Sequence, residues 1–472
     1  MRTALPLLSC SLLLLLSACS SSDSNNSSNS SATTGTTTQD ESCPVVVKDA
    51  DCDKTQRPFV FVHGTYGSGE NFAHVAQLLE SNGFCSDRIV GVEYDSLGDS
   101  PGNVCTDAGA KPGCGKIDDV INKVLADNPD FTQVDLAGHS QGTAHCGAYL
   151  SVPSQAAKVA HYINFSGVPD VGDVQTLSLS SQHDLGGSPH HATGKNVKTV
   201  TFTDQDHFAV AASTGSFVEV FKYLTGKAPT YTSVQCGEDP LFVEGIAETF
   251  ADNTPVTGKI EVREVGTSPR GTEAPAISAV GDATGHFGPL QLKRNVAYEF
   301  KGFDSKGGVV GYQYFTPFKR TNRLIRLLTP SGITAVSSLT TDKFVKAPDQ
   351  VGLVLQWAGG AFRQDLGARL TINGTEVLES DNAGEKAFSN GSLNGGVVAI
   401  FGSDYNKNAK TDLGLFDAAP FIALSDIYEQ ATTPAFIDFS FIAGTEDPNV
   451  VNETARVSNW PSDAGLVSLM FQ

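Results

Sequence analysis

Val134-Asp135-Leu136-Ala137-Gly138-His139-Ser140-Gln141-Gly142-Thr143 runs from an apolar β-type stretch through a glycine-flanked serine into a small-residue helical stretch, Thr143 to Leu150. A serine on so abrupt a strand-to-helix turn is pushed clear of the sheet, and glycines stand on both sides because side chains there would collide. The pattern Gly-x-Ser-x-Gly alone is weak; its strand and its helix make it a nucleophile elbow. The plain alternative is a βα turn that happens to contain serine. Upstream, Phe59-Val60-Phe61-Val62 reads as a buried strand ending in His63-Gly64-Thr65. A loop at that place supplies a backbone amide to an oxyanion formed at Ser140, and the residue after the serine supplies the other. The expected oxyanion hole is therefore Thr65 with Gln141.

A serine nucleophile needs a base and an acid that orients the base. In the α/β-hydrolase arrangement that the elbow implies, they follow in the order Ser, Asp or Glu, His, on loops after later strands. Val197 to Phe202 reads as a strand, Ser216 to Leu224 as the last helix, and His207 lies between them, where the general base belongs. His190 and His191 precede that strand, and His145 sits on the elbow helix. For the acid, Val174 to Ser180 alternates as a strand and Asp184 comes just beyond it. Asp170, after the strand Tyr162 to Phe165, is the alternative. Each Asp also lies close to a glycine, where a turn-forming role is ordinary. The reading is Ser140, His207 and Asp184, on an α/β-hydrolase domain spanning residues 43–236.

After Gly226 helical periodicity gives way to short alternating runs between Gly, Pro, Asn and Asp, such as Gly258 to Val265 and Val397 to Phe401. That spacing predicts an all-β, sandwich- or barrel-like C-terminal region. The turn-rich stretch Thr329-Pro330-Ser331-Gly332 divides it into residues 237–330 and 331–472, one continuous β unit being the alternative. Asp404, Asn406, Asn408 and Asp412 alternate as in a calcium loop, but Ala409 and Leu415 stand where such a loop needs glycine and an acid. A solvated turn is the expected reading and no cofactor is assigned; calcium is the alternative.

At the other end, Arg2 precedes an apolar segment through Leu12 to Leu16 and then Ser17-Ala18-Cys19. So short an apolar segment is a signal peptide, since a spanning helix needs about 20 apolar residues. Leu16-Ser17-Ala18-Cys19 resembles a bacterial lipobox, which implies lipidation of Cys19 (residues 1–19 being the leader) and, with Ser20 following, an outer-membrane lipoprotein. Residues 20–42 are Ser, Asn and Thr with almost no apolar side chains, a disordered tether on the order of 25 Å end to end. The formal charge of −20, with no basic cluster, disfavours nucleic acid and anionic headgroups as partners. Beyond Cys10 and Cys19, seven cysteines remain, and an odd count in an exported chain predicts a free thiol, expected at Cys146 behind the elbow. Cys43 with Cys52 and Cys105 with Cys114 would close short loops, but six cysteines allow fifteen connectivities. No pair has metal-ligand spacing.

Phe59 to Gly64, Val92 to Ser96, Gly138 to Thr143, Ala156 to His161, His207, Tyr314 to Asn322 and Asn459 to Asp463 together resemble a bacterial and archaeal lipase group, above all its two-domain archaeal type. The resemblance implies lipase or esterase activity, with a β-rich C-terminal half that covers the active site or binds substrate. Two departures stand out. The group's acid directly follows the strand ending at Phe165, where this chain has Ser166; that favours Asp184. Its long lid has only Ser96 to Gly115 as a counterpart here. The expected function is hydrolysis of neutral acyl esters or lipids through an acyl-enzyme. The alternatives are an extracellular polyester depolymerase and an inactive lipid- or glycan-binding surface protein.

Overall fold

Strand β1 (Phe59–Val62) is hydrophobic at every position because it is covered on both faces. Phe59 and Phe61 point into one core, Val60 and Val62 into another, with the period-2 alternation of a strand. The computed structural model describes residues 43–98, 114–249, 253–266, 277–329, 345–363, 367–378, 396–411, 413–419, 421–431, 435–443 and 452–472. The leader, Cys19 and the tether lie outside the described residues, as do Cys105, most of the short lid segment and Asp412.

Around β1 assemble β2 (Ile89–Val92), β3 (Val134–His139), β4 (Val159–Phe165), β5 (Gln175–His183) and β6 (Val197–Asp206), in the order β2-β1-β3-β4-β5-β6. All neighbours are parallel. Helices α1 (Ala73–Ser81), α5 (Ala209–Ala212) and α6 (Thr214–Thr225) cover the phenylalanine face, which also carries Ile163, Phe165, Leu177 and Leu179. Helices α2 (Cys114–Asp127) and α3 (Gln141–Leu150), the latter followed by α4 (Pro153–Ala156), cover the valine face with Leu136 and Tyr162. This is the α/β region expected from the elbow. In such sheets the loops beyond the carboxyl ends of the strands form the site, and the loops after β1, β3, β5 and β6 carry Thr65, Ser140, Asp184 and His207.

The β region continues with β7 (Leu241–Thr249), β8 (Lys259–Glu264), β9 (Ile277–Val280), β10 (His286–Leu292), β11 (Tyr298–Phe303), β12 (Val309–Phe315) and β13 (Asn322–Thr329). Three of these form a sheet in the order β10-β7-β13. A nine-stranded sheet runs from Leu413–Ala419 through Ile422–Asp426, Ala399–Ser403, Leu353–Trp357 and Leu466–Phe471 to β12, β11, β8 and β9. The smaller sheet packs on one end of it through Val243, Ile260, Phe287, Phe300 and Ile325. On the opposite face a four-stranded sheet packs through Leu370, Phe439 and Phe441 against Tyr312, Leu355 and Leu469. Leu466–Phe471 is hydrogen-bonded in parallel to both β12 and Leu353–Trp357. Strands from both sides of residue 330, β12 and Leu353–Trp357, thus share one hydrogen-bonded sheet.

Residues Cys43–Gln472 form one compact unit. The β region is fastened to the α/β region by Arg320, fully buried, whose guanidinium meets Glu80 at 2.8 Å and Asp49 at 3.2 Å. Two disulfides correct the short-loop pairing: Cys43 joins Cys236 and Cys52 joins Cys85. Cys43 does not turn back to Cys52, because the segment after it runs alongside the end of the α/β region, with the Val47 amide on the Cys236 carbonyl. Cys146 is free and buried, and burial pushes its thiol far up, making it a poor nucleophile.

Candidate active site

Ser140 occupies φ 52°, ψ −121°, between the last residue of β3 and the first of α3. A non-glycine residue in such a conformation is strained and is held by its surroundings. Here the Ser140 amide donates to the Phe165 carbonyl at 3.0 Å, and the amide and hydroxyl of Thr143 both donate to the Ser140 carbonyl. Gly142 explains the second glycine of the motif. A β-carbon there would lie 2.4 Å from the Val62 carbonyl and 2.3 Å from that of His63, so only glycine lets α3 seat against the end of β1. The sharpness of the elbow follows from that contact.

His207 lies beyond β6 and is buried, with Nδ1 at 2.6 Å from Asp184 Oδ1. A carboxylate oxygen only accepts, so Nδ1 carries the proton and Nε2 is left to take one. Asp184 is buried and also accepts from the Ser180 hydroxyl at 2.8 Å and the Leu185 amide at 2.7 Å. Burial works to raise its pKa, but the His207 hydrogen bond and charge, with the Ser180 hydroxyl, outweigh it and hold the carboxyl well below the usual range. It is a permanent anion behind the imidazole. Asp170, the alternative acid, is exposed and accepts from the Gly172 amide at 3.0 Å, the work of a turn residue. His190 approaches the same Asp184 oxygen at 3.4 Å, whereas His191 bonds Ser178 and Thr201.

Thr65 and Gln141 come together: the Thr65 hydroxyl donates to Gln141 Oε1 at 2.9 Å, tying the loop after β1 to the start of α3. Behind Thr65, His63 Nδ1 donates to the Gly64 carbonyl at 2.8 Å, and the Gly67 amide reaches the same oxygen at 3.1 Å. In a trans peptide the Gly64 C=O and the Thr65 N–H point opposite ways. Two donors on that carbonyl therefore set the direction of the Thr65 amide.

Several members of this region were not legible in the sequence. His139 Nε2 donates to the His207 carbonyl at 2.8 Å and its ring lies 4.8 Å from the His207 ring. Burial, then the neighbouring His207, pushes its pKa down to about 3, so it stays neutral. Asp206 Oδ1 accepts from the Phe208 and Ala209 amides and Oδ2 from Arg363 of the β region at 3.1 Å, so both chain halves shape the His207 turn. Phe421, also from the β region, packs edge-on against Phe208 at 5.2 Å. His139 lay in plain view as the variable residue of the motif; Arg363 and Phe421 carry no sequence signal. Of the residues that alternate as in a calcium loop, Asp404 accepts from the Asn408 and Ala409 amides, Asn406 from that of Asn408, and Asn408 from that of Lys410.

Ser140 at its strained elbow and the buried His207–Asp184 pair stand on loops beyond the carboxyl ends of strands of one sheet. Residues 239–331 match the family model of the lipase C-terminal domain, and with the α/β region before it this supports a lipolytic hydrolase in general. Among solved structures, the chain is similar to the product of gene lin2722 from Listeria innocua, at 13% identity and a TM-score of 0.28, covering 38% of this chain and 98% of that one. It is also similar to Bacillus licheniformis lipase BlEst2 in propeptide form, at 12% identity and a TM-score of 0.27, covering 86% and 94%. Phospholipase PlaB from Legionella pneumophila follows at 10% identity and a TM-score of 0.21, covering 88% and 93%. No functionally curated protein matches the chain in sequence.

Proposed function

We propose that this chain is a serine carboxylic ester hydrolase of lipase or esterase type, acting on neutral acyl esters through an acyl-enzyme. Ser140 attacks the ester carbonyl while His207 Nε2 takes its proton, and the backbone amides of Thr65 and Gln141 receive the oxyanion. His207 then returns the proton to the leaving alcohol, and water, activated by the same imidazole, releases the acid. Asp184 stays ionised throughout and stabilises the imidazolium. The observation that carries this reading is the 2.6 Å bond between His207 and the buried Asp184, on the loops after adjacent strands of the sheet that holds the strained Ser140. The chemistry uses the chain's own groups. The lipobox-like Cys19 and the tether extend the reading to an exported lipoprotein, held by its lipid at the outer membrane and facing acyl substrates.

The test is hydrolysis of p-nitrophenyl esters from two to sixteen carbons by the protein without residues 1 to 42, beside Ser140→Ala. Long-chain activity that the substitution abolishes is the lipase result, and activity confined to short chains is the esterase result. Hydrolysis that survives Ser140→Ala would overturn the assignment.

A further inference from the structure

The segment that matches the lipase C-terminal domain reaches into the loop that carries Thr65. Asn253 Nδ2 donates to the Gly67 carbonyl at 2.9 Å and lies 3.4 Å from both His63 Nε2 and Glu93 Oε2. Arg326, on β13, donates to the Tyr66 carbonyl at 3.2 Å and to Asn253 Oδ1 at 3.0 Å, while its Nε is paired at 2.7 Å with the fully buried Glu248 of β7. Thus three carbonyls of the loop each have a defined holder: Gly64 by His63, Tyr66 by Arg326 and Gly67 by Asn253. His63 is in turn bracketed by Asn253 and Glu93, and Tyr94 stacks on its ring at 4.2 Å.

We infer that Asn253 and Arg326 are positioning residues for acyl transfer, through which the β region fixes the peptide plane that aims the Thr65 N–H at the oxyanion. The inference rests on the Ser140 reading above. An amide donor helps only if it already points at the developing charge, and a shift on the order of 1 Å can cost about 100-fold in rate. A loop whose carbonyls are held in this way cannot rotate one peptide without breaking buried hydrogen bonds. The β region is then part of the catalytic apparatus, although neither residue touches the reacting atoms.

Asn253 allows a clean test because its φ is 50°, a conformation glycine adopts without strain. Asn253→Gly removes the clamp and leaves the backbone at ease; Asn253→Asp keeps an acceptor for Arg326 and loses the donor to Gly67. Arg326 variants would strip the buried Glu248 of its cation and are set aside. The full chain in detergent is titrated with a fluorophosphonate to count active Ser140, and kcat and KM are measured per active site on a p-nitrophenyl ester. Both variants are expected to lose about 10- to 100-fold in kcat with KM within twofold, the mark of an interaction made only in the transition state. A kcat per active site within twofold of wild type in both variants overturns the inference, even if fewer sites titrate. A rise in KM alone overturns it too, by assigning Asn253 to substrate binding. Absence of Ser140 labelling in the wild type is a separate result that removes the hydrolase reading itself.

Discussion

Replacing Asp184 by asparagine tests how the buried carboxylate acts on His207. Asp184 Oδ1 receives His207 Nδ1 and the Leu185 amide, while Oδ2 receives the Ser180 hydroxyl. Ser180 Oγ itself accepts from the His190 amide, so it can also accept from an amide nitrogen placed at the Oδ2 position. The Asp184→Asn variant can therefore keep a side-chain carbonyl on His207 and preserve the imidazole tautomer. What it loses is the charge that stabilises the imidazolium. Two unit charges about 4 Å apart at an effective dielectric constant near 20 interact by about 4 kcal/mol, which is a rate factor of about 1,000. The expected result is a fall in kcat/KM of about 1,000-fold for Asp184→Asn in p-nitrophenyl ester hydrolysis, with Asp170→Asn within twofold of wild type. A loss under 10-fold at Asp184, or a large loss at Asp170, would refute the assignment. The sign of the pH effect follows as well. The depressed pKa makes Asp184 a source of stability above the ordinary carboxylate pKa that is lost as pH falls through its lower folded value, so Asp184→Asn should flatten the acid side of the thermal stability curve.

Gly142→Ala should abolish folding or cost more than about 3 kcal/mol in urea unfolding, because its β-carbon meets two carbonyl oxygens that cannot withdraw. Arg363→Gln leaves Asp206 buried without its cation; breaking such a pair costs about 3–5 kcal/mol, and the measurement is a urea midpoint read beside kcat, which should fall with the His207 turn. Cys236→Ser removes a cross-link spanning 193 residues, worth about 5 kcal/mol on chain-entropy grounds against about 4 for the 33-residue Cys52–Cys85 link, so it should lower the melting temperature more than Cys85→Ser.

The elbow was readable because its cause is local: a period-2 strand, two glycines and a helix packed into one short stretch of chain. His207 was readable for a similar reason, as the polar interruption between a strand and the last helix. The acid was a choice between two carboxylates with the same local grammar, a strand followed by Asp near Gly. It is the fold of residues 184–190 back over β5, with Ser180 and Leu185 on its oxygens, that distinguishes Asp184 from the exposed Asp170. The disulfides were unreadable because Cys43 meets Cys236 only once both ends of the α/β region have been brought together. Asn253, Arg326 and Arg363 were invisible for the same reason. Each is an ordinary polar residue of a β segment until docking sets it against a carbonyl or carboxylate far away in the chain.

The position of Leu466–Phe471 sets when the nine-stranded sheet can close. It lies between β12 and Leu353–Trp357, paired in parallel with both, so the centre of the nine-stranded sheet is filled by the segment that a ribosome delivers after all its partners. Until it arrives, β12 and Leu353–Trp357 each present an open edge to solvent, the kind of surface that recruits foreign strands. Arg326, on β13 of the smaller sheet, reaches the Tyr66 carbonyl, and Arg363, soon after Leu353–Trp357, reaches Asp206. A chain cut short of residue 466 would leave that sheet in two parts, each with an unpaired edge.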